Sequence, residues 1–382
     1  MNPAIIDNSS GRIDFLPQLA NQQEQEYSSA LHANNDLEAV QTWLAASSGR
    51  SGHTFLSYRR EARRFLLFLH QSGAVVLRDV KVELVHDYFA LLRNPPQHWI
   101  IDSNPEQLVT QVLKGPLSAQ SIAYARTVLS RLYRFLLDAG YVRTNPIALT
   151  FKPGYALAPL HEKALEPDAW VFYWRWLINQ ENEANQREKK LYAARNRWLS
   201  ALLYHTGLRR SSVAHGSMSG FSRRRIDGRQ QWTLTVPSKG GRLHTSIISD
   251  LLFKELMQYR QSMGLQGQPQ PNENEPLVCN VRNCREAIKE RAIGLIFEKL
   301  TKTAASICED PHLSAQVERL TAHGLRHTHG THRFLAGATL ESTQASLGHK
   351  DPKTTMIYAQ VADHTLRLHA QLMDTFLNKI NK

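Results

Sequence analysis

Apolar residues recur at helical spacing through the first 140 positions of the chain. Thr54 to Gln71 carries Phe55, Tyr58, Ala62, Phe65, Leu66 and Leu69 on one stripe, which predicts an amphipathic helix. Leu37 to Leu44 and Val82 to Leu92 share that period. Ser118 stands where an N-cap belongs. After it, Ile122, Ala125, Leu129, Leu132, Tyr133 and Leu136 form a buried stripe on a helix reaching about Ala139, and Gly140 stops it. Asn145-Pro146, Lys152-Pro153-Gly154 and Pro159 break any pattern and mark a domain boundary.

Beyond the boundary the period changes. Trp170 to Ile178 and Leu191 to His205 read as helices, whereas Gln231 to Pro237 and Leu243 to Ile248 alternate like strands. Between those strands lies Ser238-Lys239-Gly240-Gly241-Arg242, which puts Lys239 at the tip of a β-hairpin. Asp250 is the expected cap of a helix running to Ser262, and Gly264 to Pro276 is a loop. Ala287 to Ile307, Leu325 to Ala336 and Leu340 to Leu347 read as helices, Thr354 opens a segment holding Tyr358, and Thr365 to Ile380 is a terminal amphipathic helix. The expected fold is mainly α with a small β-hairpin or sheet. Residues 1–35 are a polar flexible arm, 36–150 a helical domain, 151–164 a linker and 165–382 a mixed α/β domain.

A chain of 382 residues suits two domains. No run approaches the ~20 apolar residues that span a bilayer, so no membrane partner is expected. The N-terminus has no secretory pattern. Three cysteines, Cys279, Cys284 and Cys308, are too few for a disulfide framework and fit a reducing, cytoplasmic setting. The net charge is +12 and it is uneven. Residues 1–49 hold one basic and six acidic side chains, residues 50–152 hold 14 and 7, and residues 153–382 hold 31 and 21. Two basic domains behind an acidic arm point to a polyanion, most simply double-stranded DNA. Arg59, Arg60, Arg63 and Arg64 crowd six positions of one helix and are the expected DNA contacts of the first domain.

The second domain holds Arg209, Lys239, His323, Arg326, His349 and Tyr358 in ordered local settings. These residue types suit metal-free chemistry at a phosphodiester. A hydroxyl must attack phosphorus, charge on the non-bridging oxygens must be neutralised, and the leaving oxygen must gain a proton. Two guanidinium groups match phosphate oxygens and never lose charge. A lysine on a hairpin tip can reach a leaving oxygen, histidines handle protons near neutrality, and cations favour the anionic form of a tyrosine. Singly, each residue reads as readily as a surface ion pair, a polar turn or a core tyrosine. Their order and spacing as a set carry the argument.

That set resembles the tyrosine recombinase (phage integrase) family. Thr206-Gly207-Leu208-Arg209 is similar to its first arginine box, and Lys239-Gly240-Gly241 to its hairpin lysine. His323-x-x-Arg326-His327-Thr328 is similar to its His-x-x-Arg box. Leu347-Gly348-His349 follows Arg326 by 23 residues, and Tyr358 stands nine further on, at the nucleophile's place. The helical domain resembles the family's core-site-binding domain more loosely. The resemblance implies a site-specific DNA recombinase of a mobile element or phage, cytoplasmic and prokaryotic, that integrates or excises DNA without a cofactor or metal. Tyr358 would form a 3′-phosphotyrosyl link, Arg209 and Arg326 would clamp the phosphate, and Lys239 would protonate the leaving 5′ oxygen. His323 and His349 would bind phosphate oxygens, with His323 as proton acceptor. Two domains would close around duplex DNA, and four protomers, monomeric or dimeric off DNA, would assemble on two sites by exchanging helix 365–380.

Ser212 stands where the family carries an acidic residue, and Ser238 precedes the lysine where glycine is common. The acidic arm argues against a second, arm-type DNA site. The rival readings are a silent DNA-binding protein of the same fold, a type IB topoisomerase or telomere resolvase, and a metal site. For the last, His323, His327, His329 and His332 are dense, and Cys279-x4-Cys284 is followed later by Cys308 and His312, but neither set has strong metal-ligand spacing.

Overall fold

The structure is a computed structural model, and it describes residues 29–47, 52–101, 112–150, 164–238 and 240–348. The arm up to residue 28, most of the expected linker, Lys239, His349, Tyr358 and the helix expected at 365–380 lie outside the described residues. Contacts divide the chain into two compact units, Met1–Ala156 and Leu157–Lys382.

The first unit is helical. It contains α1 (Asp36–Ala46), α2 (Gly52–Gln71), α3 (Val82–Arg93), α4 (Ala119–Asp138) and the short α5 (Pro146–Leu149). Ser118 caps α4 by accepting from the Ser121 amide. The stripe on α2 is buried at Tyr58, Ala62, Phe65, Leu66 and Leu69, and that on α4 along its whole length. Trp43 of α1 stacks on Tyr58 of α2, and Phe65 meets Tyr88 of α3 edge-on. Each buried aromatic removes a large apolar surface from water, which is what holds helices this short together.

The flexible arm ends earlier than expected. Ser29 and Ala30 both donate to the carbonyl of Ala139, Ala33 is buried, and Asn35 caps α1 through the Glu38 amide. Asp36 follows, accepting from the Leu77 amide at 2.7 Å and the Tyr141 hydroxyl at 2.8 Å. Residues 29–35 therefore belong to the helical unit, because their polar groups complete its hydrogen bonds.

The second unit contains α6 (Pro167–Asn182), α7 (Arg187–Thr206), α8 (Arg210–Ala214), β1 (Phe221–Ile226), β2 (Arg229–Ser238), β3 (Arg242–Ile247) and α9 (Asp250–Ser262). Then come β4 (Cys279–Asn280), β5 (Asn283–Ala287), α10 (Glu290–Ser306), α11 (Pro311–Glu318), α12 (Ala322–Leu335) and α13 (Leu340–Leu347). Helix α7 is central and packs against α6, α9 and α12. The sheet is antiparallel, in the order β1-β2-β3. Ser249, not Asp250, caps α9, since its hydroxyl accepts from the Leu252 amide. The helix expected from Ala287 starts at Glu290, because residues up to Ala287 pair with Cys279 in a small hairpin. Among the described residues no helix is long and apolar enough to cross a membrane.

Candidate active site

Arg326 ties the second unit's motifs together. It lies on α12, whose first turn is fixed by Thr321 accepting from the Gly324 amide. Its side chain is 3% exposed. One guanidinium nitrogen donates to the carbonyl of Gly207 and the other to that of Leu347, each at 2.5 Å. The planar fork thus joins two turns distant in sequence. One turn leads two residues on to Arg209, and the other leads two residues on to His349.

Both turns need glycine. Gly207 ends α7 at φ 61° and Gly348 ends α13 at φ 59°, the left-handed conformation that terminates helices. A Cβ on Gly207 would come within 2.6 Å of the His329 ring, and one on Gly348 within 2.8 Å of His244 Nδ1. Each turn is therefore pressed against an imidazole.

Arg209 is half-buried at the N-cap of α8, and His323 is exposed on the first turn of α12. The two line one groove of about 630 Å³, together with Arg210, Glu290, Glu298 and Glu318. Arg210 pairs with Glu290 of α10 at 2.9 Å. Ser212 is buried on α8. A carboxylate there would have to be desolvated.

Three more histidines lie beneath this layer. The His329 Nδ1–H donates to the Tyr204 carbonyl at 2.7 Å, and its Nε2 accepts from Ser346 Oγ at 2.9 Å. Burial pushes its pKa from 6.5 down to about 3. His332 bridges the Tyr204 hydroxyl and the Leu165 carbonyl, and burial holds His205 at about 4. These rings are neutral packing and hydrogen-bonding groups. Among the described residues no cluster of three His, Cys, Asp or Glu is placed to hold a metal.

His244 was not singled out by its sequence setting. It sits on β3 opposite Val236 and is half-buried. Burial lowers its pKa, Arg326 and Arg209 lower it further, and a main-chain hydrogen bond to Ser346 works the other way. Its Nε2 is buried without a hydrogen-bond partner among the described residues. The signal in the sequence was its position, five residues past Lys239 on the same hairpin.

Of the six expected site residues, the structure describes Arg209, His323 and Arg326 and brings them to one region. For Lys239 it describes the flanking pair Ser238 and Arg242. In the first unit, the arginines of α2 do not form a uniform solvent-facing row. Arg64 is buried, donates to Glu61 at 3.2 Å and to the Val112 carbonyl at 3.2 Å, and so serves the fold. Arg59 is half-buried, and Arg60 is exposed and pairs with Glu61. A groove of about 590 Å³ in this unit is lined by Arg60, Arg64, Lys114, Gln120, Ser121 and Tyr124.

Residues 178–365 match the family model described as the Phage integrase family. The chain is 26% identical over 332 residues to Tyrosine recombinase XerC of Rickettsia canadensis, covering 84% of this chain and 90% of that one. It is 27% identical over 340 residues to Tyrosine recombinase XerC of Anoxybacillus flavithermus, covering 88% and 96%. In fold it resembles the XerH site-specific recombinase bound to palindromic difH substrate in a post-cleavage complex, with TM-score 0.59 and 17% identity over 84% of this chain and 80% of that one. It also resembles a lambda integrase dimer bound to a COC′ core site, with TM-score 0.54 and 15% identity over 84% and 93%.

Proposed function

Because the chain belongs to the tyrosine recombinase (phage integrase) family, we propose that it cuts and rejoins DNA at specific sites through a 3′-phosphotyrosyl intermediate. The observation that carries this reading is the Arg326 fork. It holds together the turn leading to Arg209 and the turn leading to His349. Arg209 and Arg326 neutralise the non-bridging oxygens of the scissile phosphate. His323, on the same groove as Arg209, binds a phosphate oxygen and accepts the proton of the attacking hydroxyl, and His349 binds a phosphate oxygen. Tyr358 attacks phosphorus, the bond to the 5′ oxygen breaks, and Lys239 gives that oxygen its proton. A 5′ hydroxyl from a partner strand reverses the attack. The covalent link conserves bond energy, so the chemistry needs neither nucleotide nor metal.

Residues 29–150 form the core-site-binding domain, with Arg59 and Arg60 as phosphate contacts, and residues 165–382 form the catalytic domain. Four protomers act on two sites, exchanging helix 365–380. The acidic N-terminal segment favours an element that reads core sites alone, in a prokaryotic cytoplasm. The compared relatives carry bacterial names, which supports that setting.

A nicked suicide duplex, carrying a site footprinted on the DNA that flanks the chain's own gene, tests the chemistry. A covalent adduct on the 3′ side that disappears in Tyr358→Phe is expected. An adduct that persists in that variant overturns the assignment. Exchange between two sites, rather than relaxation or hairpin ends, separates a recombinase from a topoisomerase or telomere resolvase.

A further inference from the structure

A second side chain of α12 joins the ends of α7 and α13 beside Arg326. His329 lies three residues further along the helix, on the same face. Its Nδ1–H donates to the Tyr204 carbonyl in the last turn of α7 at 2.7 Å, and its Nε2 accepts from the Ser346 hydroxyl in the last turn of α13 at 2.9 Å. Arg326 reaches the next points on the same two turns, the carbonyls of Gly207 and Leu347. The imidazole also presses on the first of those turns. A Cβ on Gly207 would lie 2.6 Å from its Cδ2 and 2.9 Å from Leu347 Cδ2. His329 is 6% exposed, and both of its ring nitrogens are engaged.

One fork between two turns is a hinge. The guanidinium plane of Arg326 takes its direction from the two carbonyls it serves, so a swivel of α13 about that axis turns the plane. A second bridge, set one helical turn along α12, removes the swivel. Imidazole suits this task because its donor and acceptor stand on a rigid frame, whose width fixes the separation of Tyr204 and Ser346. The ring is buried and neutral, so it adds no charge beside the guanidinium groups.

Resting on the recombinase reading above, we propose that His329 is a positioning residue, holding Arg326 and the turn that leads to Arg209 in the spacing that cleavage requires. It touches no reacting atom. Without it the arginines keep their charge and their attraction to DNA but lose their alignment on the phosphate. A displacement of about 1 Å at a reacting centre costs up to about 10²-fold in rate.

The test uses the full chain and the nicked duplex above, at a temperature where calorimetry shows every variant fully folded. His329→Leu removes both bonds, Ser346→Ala removes the one to α13, and His329→Gln offers an amide donor and acceptor in their place. His329→Leu is expected to bind the duplex with a Kd within about twofold of the wild type, yet to form adduct about 10- to 10²-fold more slowly at saturating duplex. Ser346→Ala falls between the two, and His329→Gln recovers most of the rate. In the Arg326→Lys background the same His329→Leu change costs less than it does alone, because the group it positions is already altered. Wild-type rates in folded His329→Leu would leave this residue a role in stability alone and overturn the proposal. So would a loss that lies wholly in duplex binding, or losses that multiply in the double variant. If His329→Leu does not fold, Ser346→Ala decides, and a wild-type rate in that variant overturns the proposal. An absent wild-type adduct, or one that survives Tyr358→Phe, removes the recombinase reading itself and this role with it.

Discussion

Arg326 donates to the carbonyls of Gly207 and Leu347, so its guanidinium sets the spacing of two turns as well as the charge between them. Lysine carries the same charge but presents no planar fork. Arg326→Lys is therefore expected to lose both properties. Stability falls by about 2–4 kcal/mol, since a buried carbonyl is left without a donor and a buried charge is misplaced, and adduct formation falls by about 10²-fold or more. Calorimetry beside the suicide-substrate assay checks this, and an unchanged melting temperature would show that the fork does not anchor the turns. His329 makes a pH prediction. Its folded pKa of about 3 lies below the ordinary 6.5, so the folded state holds the neutral ring while the unfolded chain takes a proton. Its contribution is complete above about 6.5 and is lost as pH falls towards 3. His205, at about 4, acts in the same direction. The melting temperature is thus expected to drop between pH 6 and 4, and His329→Gln, less stable at neutral pH, is expected to show a shallower drop.

At the scale of elements, α2 and α4 were legible because each buries one broad stripe and ends at a clear signal, and α4 also carries a serine cap. Strand β1 was not, because Arg223, Arg224 and Arg225 run through it and hide the two-residue period. The available signal was Asp227-Gly228, the turn that closes β1 on β2. Strand β3 alternates, yet Leu243 and Ile247 are 73% and 61% exposed while His244 and Ser246 face inward. A site, not a core, sets its facing, and hydrophobicity cannot report that. For the same reason the motif arginines and His323 were readable, whereas His244 and His329 gained their roles only from tertiary neighbours. The arginines of α2 divide by the same logic. Glu61 is 2% exposed, and Arg64 is its buried partner. Arg64→Ala is expected to lower stability by about 2–4 kcal/mol. Arg59→Ala is expected to leave the melting curve in place, weaken duplex binding and reduce its salt slope by about 1. Paired thermal melts and salt-titrated binding separate the two, and equal effects on both readouts would refute the division.

For the whole molecule the decisive quantity is the placement of charge. Both globular parts are basic, and residues 1–28 carry four acidic side chains and one arginine. Attraction to duplex phosphate comes from counterion release, so log K falls with log salt by about 0.9 per phosphate neutralised. A segment that touched phosphate through its own cations would steepen that slope, and its removal would flatten it. With a net charge of −3, residues 1–28 cannot do this through one arginine, and repulsion makes them mildly unfavourable near DNA. A chain starting at Tyr27 keeps Ser29 and Ala30, which bond to the Ala139 carbonyl, so the helical unit stays complete. This truncation is expected to bind core-site duplex with the same salt slope and with equal or about twofold tighter affinity at low salt, the difference vanishing as screening shortens the range of repulsion. Fluorescence anisotropy at several salt concentrations measures both quantities. A tenfold loss of affinity with a flatter slope would instead make the acidic arm a DNA-contacting element.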